Sequence, residues 1–295
     1  MKYLPQKKGF LGYEANSKIK NKVVIVPFGI EKTVTYGGGT KNGPKEIIKA
    51  SHQVELFDEE LNKEPYKLIG IKTLKPFQIK KKVKDAIEQL CNINREILSQ
   101  NKFPLVFGGE HSLTPGAIKP FAEKHEELIL LHFDAHADLR EKYNGEKFSH
   151  ASAIKRCLDF KNVKVVSFGI RNLSKFEMSF YNMNKKKIKI FWANDKEKWN
   201  LKSLNNLFKN KNVYITFDVD ALDSSIMPAT GTPEPGGLLW NEVLTIIRKV
   251  CQISNIIGAD VSELAPIKNF NSYNFLVAKL VYKILAYTFE FKKKL

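Results

Sequence analysis

Short apolar runs alternate with longer segments of helical periodicity along most of this chain. Such alternation is typical of a parallel β-sheet whose connecting helices cover both faces. Several runs are apolar without interruption, so we expect strands that are buried on both sides. The predicted strands are residues Val23–Phe28, 105–107, Leu128–Phe133, Val163–Phe168, Ile188–Phe191, 213–217 and 255–261.

The segments between these runs carry apolar residues at helical spacing. The predicted helices are residues 44–51, 80–100, 115–125, 151–158, 175–181, 201–208, 240–251 and 273–288. We find no internal repeat, linker or change of composition, so we expect a single domain over residues 1–295.

The net charge of +17 would suit a polyanionic partner such as nucleic acid. The lysines are dispersed, however, with short runs at residues 80–82, 185–187 and 292–294, and none of these is interleaved with aromatic residues on a recognisable binding module. We therefore expect no nucleic-acid partner. A cationic substrate would be repelled by this charge, so its pocket would need local negative charge.

The three cysteines, Cys91, Cys157 and Cys251, lie far apart and form no Cys-x-x-Cys pair, which fits a reducing cytoplasm. Residues 1–8 lack the apolar stretch of a signal peptide. No run approaches the roughly 20 apolar residues that span a bilayer. We therefore expect a cytoplasmic protein with no membrane partner.

Polar residues follow four of the predicted strands, where ligands bind in parallel α/β sheets. The motifs are Gly-Gly-Glu-His-Ser at 108–112, Asp-Ala-His-Ala-Asp at 134–138, Asp-Val-Asp at 218–220 and Ser-Glu at 262–263. A spacing of two puts Asp134, His136 and Asp138 on one face of an extended chain.

Ionised and unpaired carboxylates at the edge of a buried sheet would be very unfavourable, so these motifs predict a metal site. The candidate ligands are His111, Asp134, His136, Asp138, Asp218 and Asp220. Four aspartates carry a charge of −4, which two divalent cations balance. Carboxylate with imidazole suits Mn²⁺, although Ni²⁺ or another divalent ion remains open.

These motifs resemble those of the ureohydrolases, the family of arginase and agmatinase. The resemblance covers nearly the whole chain and includes residues 108–112, 132–138, 168–171, 216–223, 228–237 and 258–266. Thr216 stands where the family often has serine. The resemblance implies an α/β three-layer sandwich with a parallel central sheet, arginase/deacetylase-like, and a homo-oligomer, usually a trimer or hexamer.

The resemblance also implies how two manganese ions divide the ligands. One ion would take His111, Asp134, Asp138 and Asp218. The other would take His136, Asp134, Asp218 and Asp220, so that Asp134 and Asp218 bridge.

Three residues are expected to act on the substrate. Asp138 would pass a proton to the leaving amine, and Glu263 would pair with the guanidinium fork. His150 aligns with the family's histidine that carries protons to solvent, a task that its ordinary pKa suits.

The segment 139–150 resembles that of agmatinases and aminopropylagmatine ureohydrolases more than that of arginases. A small cationic guanidino substrate, with positive charge at both ends, would suit a pocket lined by Asp223, Glu234 and Glu263. Arg140, if it faced the pocket, would favour a guanidino acid instead. The expected reaction converts agmatine to urea and putrescine, a step of polyamine biosynthesis, with aminopropylagmatine, guanidinobutyrate and arginine as alternative substrates.

Two other classes of protein fit the motifs less well. A deacetylase-like amidohydrolase with one zinc ion is disfavoured because all six ligands of a dinuclear set are present. A non-catalytic binding protein on the same fold is disfavoured because Asp138, His150 and Glu263 are intact.

Overall fold

Eight parallel strands form one central sheet in the computed structural model, which describes residues 1–14, 16 and 18–292. Lys293 and Lys294 of the lysine run at residues 292–294 lie outside the described residues. The strands are β1 (Val23–Phe28), β2 (Ile71–Thr73), β3 (Phe103–Gly108), β4 (Leu128–Phe133), β5 (Val163–Phe168), β6 (Ile188–Phe191), β7 (Asn212–Asp218) and β8 (Asn255–Ser262). Their order across the sheet is β2-β1-β3-β8-β7-β4-β5-β6, and each neighbouring pair runs parallel.

Helices connect these strands, as the alternation in the sequence predicted. They are α1 (Gly43–Ser51), α2 (Tyr66–Ile69), α3 (Val83–Ser99), α4 (Thr114–Lys124), α5 (Ala153–Cys157), α6 (Lys175–Met183), α7 (Leu204–Phe208), α8 (Trp240–Ile253) and α9 (Ser272–Glu290). Among the described residues, no helix combines the length and the apolarity needed to cross a bilayer.

Residues of most strands divide between two hydrophobic cores, one on each face of the sheet. In β1, Val23 and Ile25 belong to one core, whereas Val24 and Val26 belong to the other. The first core also contains side chains of α1, α7, α8 and α9, and the second contains side chains of α3, α4 and α5. The sheet is therefore buried on both faces, and the predicted three-layer sandwich with a parallel central sheet is confirmed.

Each predicted strand and helix is present. The ends of β1, β4, β5 and β6 are those predicted, whereas the ends of the other predicted elements are shifted. The predicted helices 151–158 and 201–208 begin with 3-10 turns, at His150–Ser152 and Leu201–Ser203, before their α-helical parts. The short elements α2 and β2 were not predicted.

The four central strands, β3, β8, β7 and β4, lie side by side, so their carboxyl ends meet at one edge of the sheet. Each of these ends is followed by one of the four polar motifs. The fold therefore brings together side chains that are up to 152 residues apart in the chain, such as His111 and Glu263.

Candidate metal centre

His111 follows β3 in a 3-10 turn and points its Nδ1 atom at a group of carboxylates. Nδ1 lies 3.1 Å from Asp134 Oδ2, 3.2 Å from Asp138 Oδ2 and 3.5 Å from Asp218 Oδ2. The chain reaches this position through Gly109, where a Cβ would overlap the carbonyl oxygen of Ile30.

His136 presents the same ring nitrogen to a second pair of carboxylates. Its Nδ1 lies 2.9 Å from Asp220 Oδ2 and 3.5 Å from Asp134 Oδ1. Asp134 therefore has one oxygen beside each histidine, as a bridging ligand would. The Asp134 carboxylate is fixed by hydrogen bonds from the His136 backbone N–H, at 2.6 Å, and from the His132 ring, at 2.9 Å.

The backbone path around these residues differs from the extended chain that the sequence predicted. β4 ends at Phe133, and the residues after it form a loop in which Asp138 has a φ of +52°. Asp220 lies in a 3-10 turn, Val219–Ala221, and not in the extension of β7. The predicted ligands therefore converge because the chain bends after the strands. At Asp138, the left-handed backbone conformation turns the side chain back towards His111.

The buried nitrogen of His111 supplies a test of whether these residues suit a metal ion. Nδ1 finds no hydrogen-bond partner among the residues that the structure describes, although three carboxylates surround it. An unsatisfied buried acceptor among acidic oxygens is costly, and a divalent cation between them would satisfy all of them. Carboxylate and imidazole are ligands that hard and borderline divalent ions accept, so the donor set fits such an ion.

The electrostatics of the cluster indicate the same need for positive charge. Burial lowers the pKa of His136, but the charges of Asp220 and Asp134 outweigh it and raise this pKa to about 12. Burial, reinforced by Asp134, raises the pKa of Asp138 to about 7. Burial also raises the pKa of Asp218 well above its usual value, with contributions from Asp220 and Asp134. The residues around these carboxylates thus do not supply enough positive charge to neutralise them.

A row of polar side chains crosses the sheet directly beneath the cluster. Ser167, His132, Thr216 and Asp260 occupy matching register positions on β5, β4, β7 and β8. Thr216 Oγ1 donates to Asp260 Oδ1 at 2.7 Å and lies 2.8 Å from His111 Nε2. Because its proton goes to Asp260, Thr216 accepts the Nε2–H of His111, which leaves Nδ1 with a free electron pair for a metal.

A cavity of about 210 Å³ opens above the cluster. Five of the six candidate ligands line it, together with Glu263. Glu263 has a φ of +65°, and its Oε1 accepts the His111 backbone N–H at 2.7 Å. Burial, with the nearby charge of Glu110, raises the pKa of Glu263 well above its usual value. A cationic group in the cavity would provide the missing partner of this carboxylate.

His150 also lines this cavity and is held by two hydroxyl groups. Its Nδ1 lies 3.1 Å from Thr33 Oγ1, and its Nε2 lies 2.8 Å from Thr35 Oγ1. Burial lowers the pKa of His150.

Glu234 and Arg140 lie on the cavity wall as well. Glu234 Oε1 accepts a hydrogen bond from Asn172 Nδ2 and lies 3.8 Å from His136 Nε2. Arg140 Nε lies 3.6 Å from Glu177 Oε2, and its guanidinium stacks over Tyr143, with 5.3 Å between Cζ and the ring centre.

Asp223, which we expected in the pocket, is not among the described residues that line the cavity. Its Oδ1 accepts hydrogen bonds from Ser225, and its Oδ2 accepts the Gly237 N–H at 2.7 Å. These bonds lower its pKa to about 2. The carboxylate closes the loop between β7 and α8, and its Asx-type hydrogen bonding explains why an aspartate stands there.

Arg171 was part of a motif in the sequence but received no role. Its guanidinium donates to the carbonyl oxygens of Asp220, Glu234 and Pro235, at 2.7, 2.8 and 2.9 Å. It therefore ties the loop that carries Asp220 to the loop that carries Glu234. The planar fork of arginine could have suggested such a clamp, but its partners are backbone atoms that no sequence motif marks.

Comparisons with known proteins agree over most of the chain. The sequence profile of the arginase family matches residues 21–286. An N(1)-aminopropylagmatine ureohydrolase from Synechocystis is 33% identical over 99% of this chain and 98% of its own. An agmatinase from Bacillus cereus is 35% identical over 84% of this chain and 85% of its own. The crystal structure of the agmatine ureohydrolase of Thermoplasma volcanium superposes with a TM-score of 0.80 at 27% identity, covering 94% of this chain and 92% of that one.

Proposed function

The chain belongs to the arginase family, and from this membership we propose that it is a ureohydrolase, an enzyme that hydrolyses a guanidino compound to urea and an amine. The observation that carries the proposal is the convergence of two histidine Nδ1 atoms and four aspartates beneath a cavity lined by Glu263.

Two divalent cations, which we propose to be Mn²⁺, would be held by the six converging residues. His111 and Asp138 would serve one ion, His136 and Asp220 the other, and Asp134 and Asp218 both. When bound, such a pair supplies Lewis-acid activation of water at neutral pH.

Glu263 would bind and orient the guanidinium of the substrate. One of its oxygens is occupied by the His111 N–H, which leaves Oε2 free to face the cavity. A guanidinium carries its charge at all working pH values, so it would restore the charge of this buried carboxylate. The same contact would hold the guanidinium carbon next to the cluster.

Asp138 and His150 would handle protons. Water adds to the guanidinium carbon, the C–N bond to the amine breaks, and the leaving amine needs a proton. Asp138 lines the cavity beside His111 and would transfer that proton. His150 also lines the cavity and would exchange protons with solvent.

The charged side chains on the cavity wall favour a substrate with a second positive charge. Glu234 is on the wall, and the charge of Arg140 is shared with Glu177 and Tyr143. A guanidino acid would have to compete with Glu177 for Arg140, whereas the ammonium of agmatine would meet Glu234. We therefore propose agmatine as the substrate and putrescine as the amine product.

Aminopropylagmatine is the second candidate substrate. The relative that matches 99% of this chain is named for activity on it. This compound also has a guanidinium at one end and amines beyond it, so both substrates suit the same charge pattern. Guanidinobutyrate and arginine are less favoured because each carries a carboxylate towards Glu234.

Urea release from a panel of guanidino compounds tests the function. The purified chain would be loaded with Mn²⁺, assayed with agmatine, aminopropylagmatine, guanidinobutyrate and arginine, and analysed for metal. We expect urea and putrescine in equal amounts from agmatine and two metal ions per chain. One zinc ion per chain and no urea would instead favour a one-metal amidohydrolase, and binding without turnover would favour a non-catalytic protein.

The domain organisation, assembly and location of the protein are also proposed here. We propose a single domain over residues 1–295 that assembles as a homo-oligomer, a trimer or hexamer, in the cytoplasm. Light scattering of the purified chain tests the assembly, and a monomer at micromolar concentration would contradict it.

A further inference from the structure

Glu110 is fully buried between the metal cluster and the loop that follows β1. Its Oε2 accepts the backbone N–H groups of Lys32, at 2.7 Å, and Thr33, at 2.6 Å. Its Oε1 accepts the hydroxyl of Thr33, at 3.0 Å, and that of Ser112, at 2.6 Å. A carboxylate with four donors around it acts as an acceptor only.

Thr33 stands between Glu110 and His150. Its Oγ1 accepts the His150 backbone N–H at 3.0 Å and lies 3.1 Å from His150 Nδ1. A hydroxyl group has one proton to donate and two electron pairs that accept. The proton goes to Glu110, so both electron pairs face His150. The contact with Nδ1 is a hydrogen bond only if Nδ1 carries the ring proton.

The other ring nitrogen is then the basic one. Nε2 of His150 lies 2.8 Å from Thr35 Oγ1, whose hydroxyl donates to it. Thr35 and His150 both line the cavity, whereas Thr33 is absent from its wall among the residues described. Nε2 is therefore the nitrogen on the cavity side.

We propose that Glu110 is a positioning residue that acts through Thr33 to fix His150 as the Nδ1–H tautomer, whose unprotonated Nε2 accepts the Thr35 hydroxyl at the cavity wall. Only the role of Nε2 in carrying a proton rests on the proposed function. The tautomer itself follows from the hydrogen-bond geometry.

The substitution Glu110→Gln should reverse the tautomer. The backbone N–H groups of Lys32 and Thr33 can only donate, so the amide oxygen of glutamine must face them. The amide NH₂ then faces Thr33 Oγ1 and donates to it. The Thr33 proton, no longer accepted by residue 110, turns to His150 Nδ1, which leaves the ring proton on Nε2.

Nitrogen NMR of the histidine rings tests this directly. The full chain, labelled with ¹⁵N-histidine and loaded with diamagnetic Zn²⁺, would be studied at about pH 8, where His150 is neutral. Signals of His150 are identified by their loss in His150→Asn. We expect a pyrrole-type Nδ1 and a pyridine-type Nε2 in the wild type, and the reverse in Glu110→Gln.

Two further variants keep the test decisive. Thr33→Val removes the acceptor of the Nδ1 proton, so the Nδ1–H form should lose its dominance even if Glu110→Gln does not fold. Ser112→Ala removes the other hydroxyl on Glu110 Oε1 but leaves Thr33 intact, so the tautomer should not change.

Several results would overturn the inference: an Nε2–H wild type, an unchanged Nδ1–H form in folded Glu110→Gln or Thr33→Val, or reversal in Ser112→Ala. Failure of the proposed function is distinguishable. A wild type that releases no urea, with the tautomer reversed in Glu110→Gln, would contradict the function and uphold the inference. We also expect Glu110→Gln to lower kcat by about 10²-fold, the lower end of the contribution of a positioned proton carrier.

Discussion

At the scale of single residues, the two carboxylate oxygens of Asp134 face different histidines. Oδ2 lies beside His111 and Oδ1 beside His136, while the ring of His132 holds the carboxylate from below. A side chain placed in this way would serve both ions, so its charge matters at both positions. The same cannot be said of Asp220, which lies beside His136.

The substitution Asp134→Asn should therefore weaken both metal positions together. An amide replaces one anionic oxygen by a neutral group that donates, and even partners outside the ligand shell typically contribute 10–100-fold to metal affinity or activity. We expect a loss of affinity of at least about 10²-fold, measured as metal content by elemental analysis after dialysis.

Asp223→Asn is the matched control for this substitution. It makes the same chemical change five residues after Asp218, but the carboxylate there closes a loop outside the cavity wall. We expect this variant to keep the metal content of the wild type. Equal metal loss in both variants would show that the effect of Asp134→Asn is a general one.

At the scale of elements, the strands and helices that the sequence predicted are those with long periodic or apolar segments. The strands before the four polar motifs were found because they are apolar runs, and their carboxyl ends define the site. The strand β2 (Ile71–Thr73) and the helix α2 (Tyr66–Ile69) were not predicted, because three and four residues are too short to show a periodic pattern. β2 forms at the sheet edge by pairing with β1, which is a tertiary effect.

The convergence of the candidate ligands was predicted better than the path of the chain between them. His111, Asp134, His136, Asp138 and Asp218 lie where the strand ends predict, although the loops around them are bent. Some of the hydrogen bonds that hold them join distant parts of the chain, such as the bond from the His111 N–H to Glu263, and these left no signal in the sequence. Glu110, for example, contacts Thr33 from 77 residues away.

Arg171 joins two loops at the candidate site, and Arg171→Lys tests its importance. Lysine keeps the charge but cannot direct a planar fork at several carbonyl oxygens. Loss of one charge-assisted hydrogen bond costs about 1.5–3 kcal/mol, which for a chain of this size lowers Tm by roughly 2–5 °C. We also expect kcat/KM to fall, because the loops that carry Asp220 and Glu234 loosen.

Calorimetry and urea-release kinetics measure both effects. Arg248→Lys is the control, since Arg248 Nη1 lies 3.5 Å from Glu60 at the surface and the exchange is otherwise identical. If the two variants behave alike, Arg171 does not act as a clamp.

A buried ion pair joins α9 to Asp58, which lies in the loop before α2. Lys283 Nζ lies 3.1 Å from Asp58 Oδ2, and both side chains are at most 2% exposed. Lys283→Met would leave the Asp58 carboxylate buried and unpaired, which costs about 3–5 kcal/mol of the free energy of unfolding. The expected drop in Tm is roughly 5–8 °C.

Lys279→Met, one helical turn earlier, provides the comparison. Lys279 Nζ lies 4.0 Å from Glu59, and its side chain is 22% exposed. A pair of this kind contributes about 1 kcal/mol or less. Should both methionine variants melt at the same temperature, the buried pair does not stabilise α9.

At the scale of the whole molecule, a strongly positive chain surrounds a negatively lined cavity. The net charge is +17, yet the cavity wall carries Asp138, Asp218, Asp220, Glu234 and Glu263. The two fields have different ranges. The global charge acts over the Debye length, whereas the carboxylates act within a few ångströms of the bound substrate.

Salt should therefore speed the capture of a doubly cationic substrate such as agmatine. Raising KCl from about 0.01 M to about 0.15 M shortens the Debye length from about 30 Å to about 8 Å, which screens the distant lysines but little of the cavity. We expect kcat/KM for agmatine to rise over this range, and to rise less in a variant in which Lys185, Lys186 and Lys187 are replaced by glutamine.

Those lysines border a groove at the amino ends of β5 and β6, away from the cavity, so the variant changes the global charge alone. A steady fall of kcat/KM with salt in both proteins would mean that the cavity attracts the substrate from a distance and that the surface charge does not oppose it.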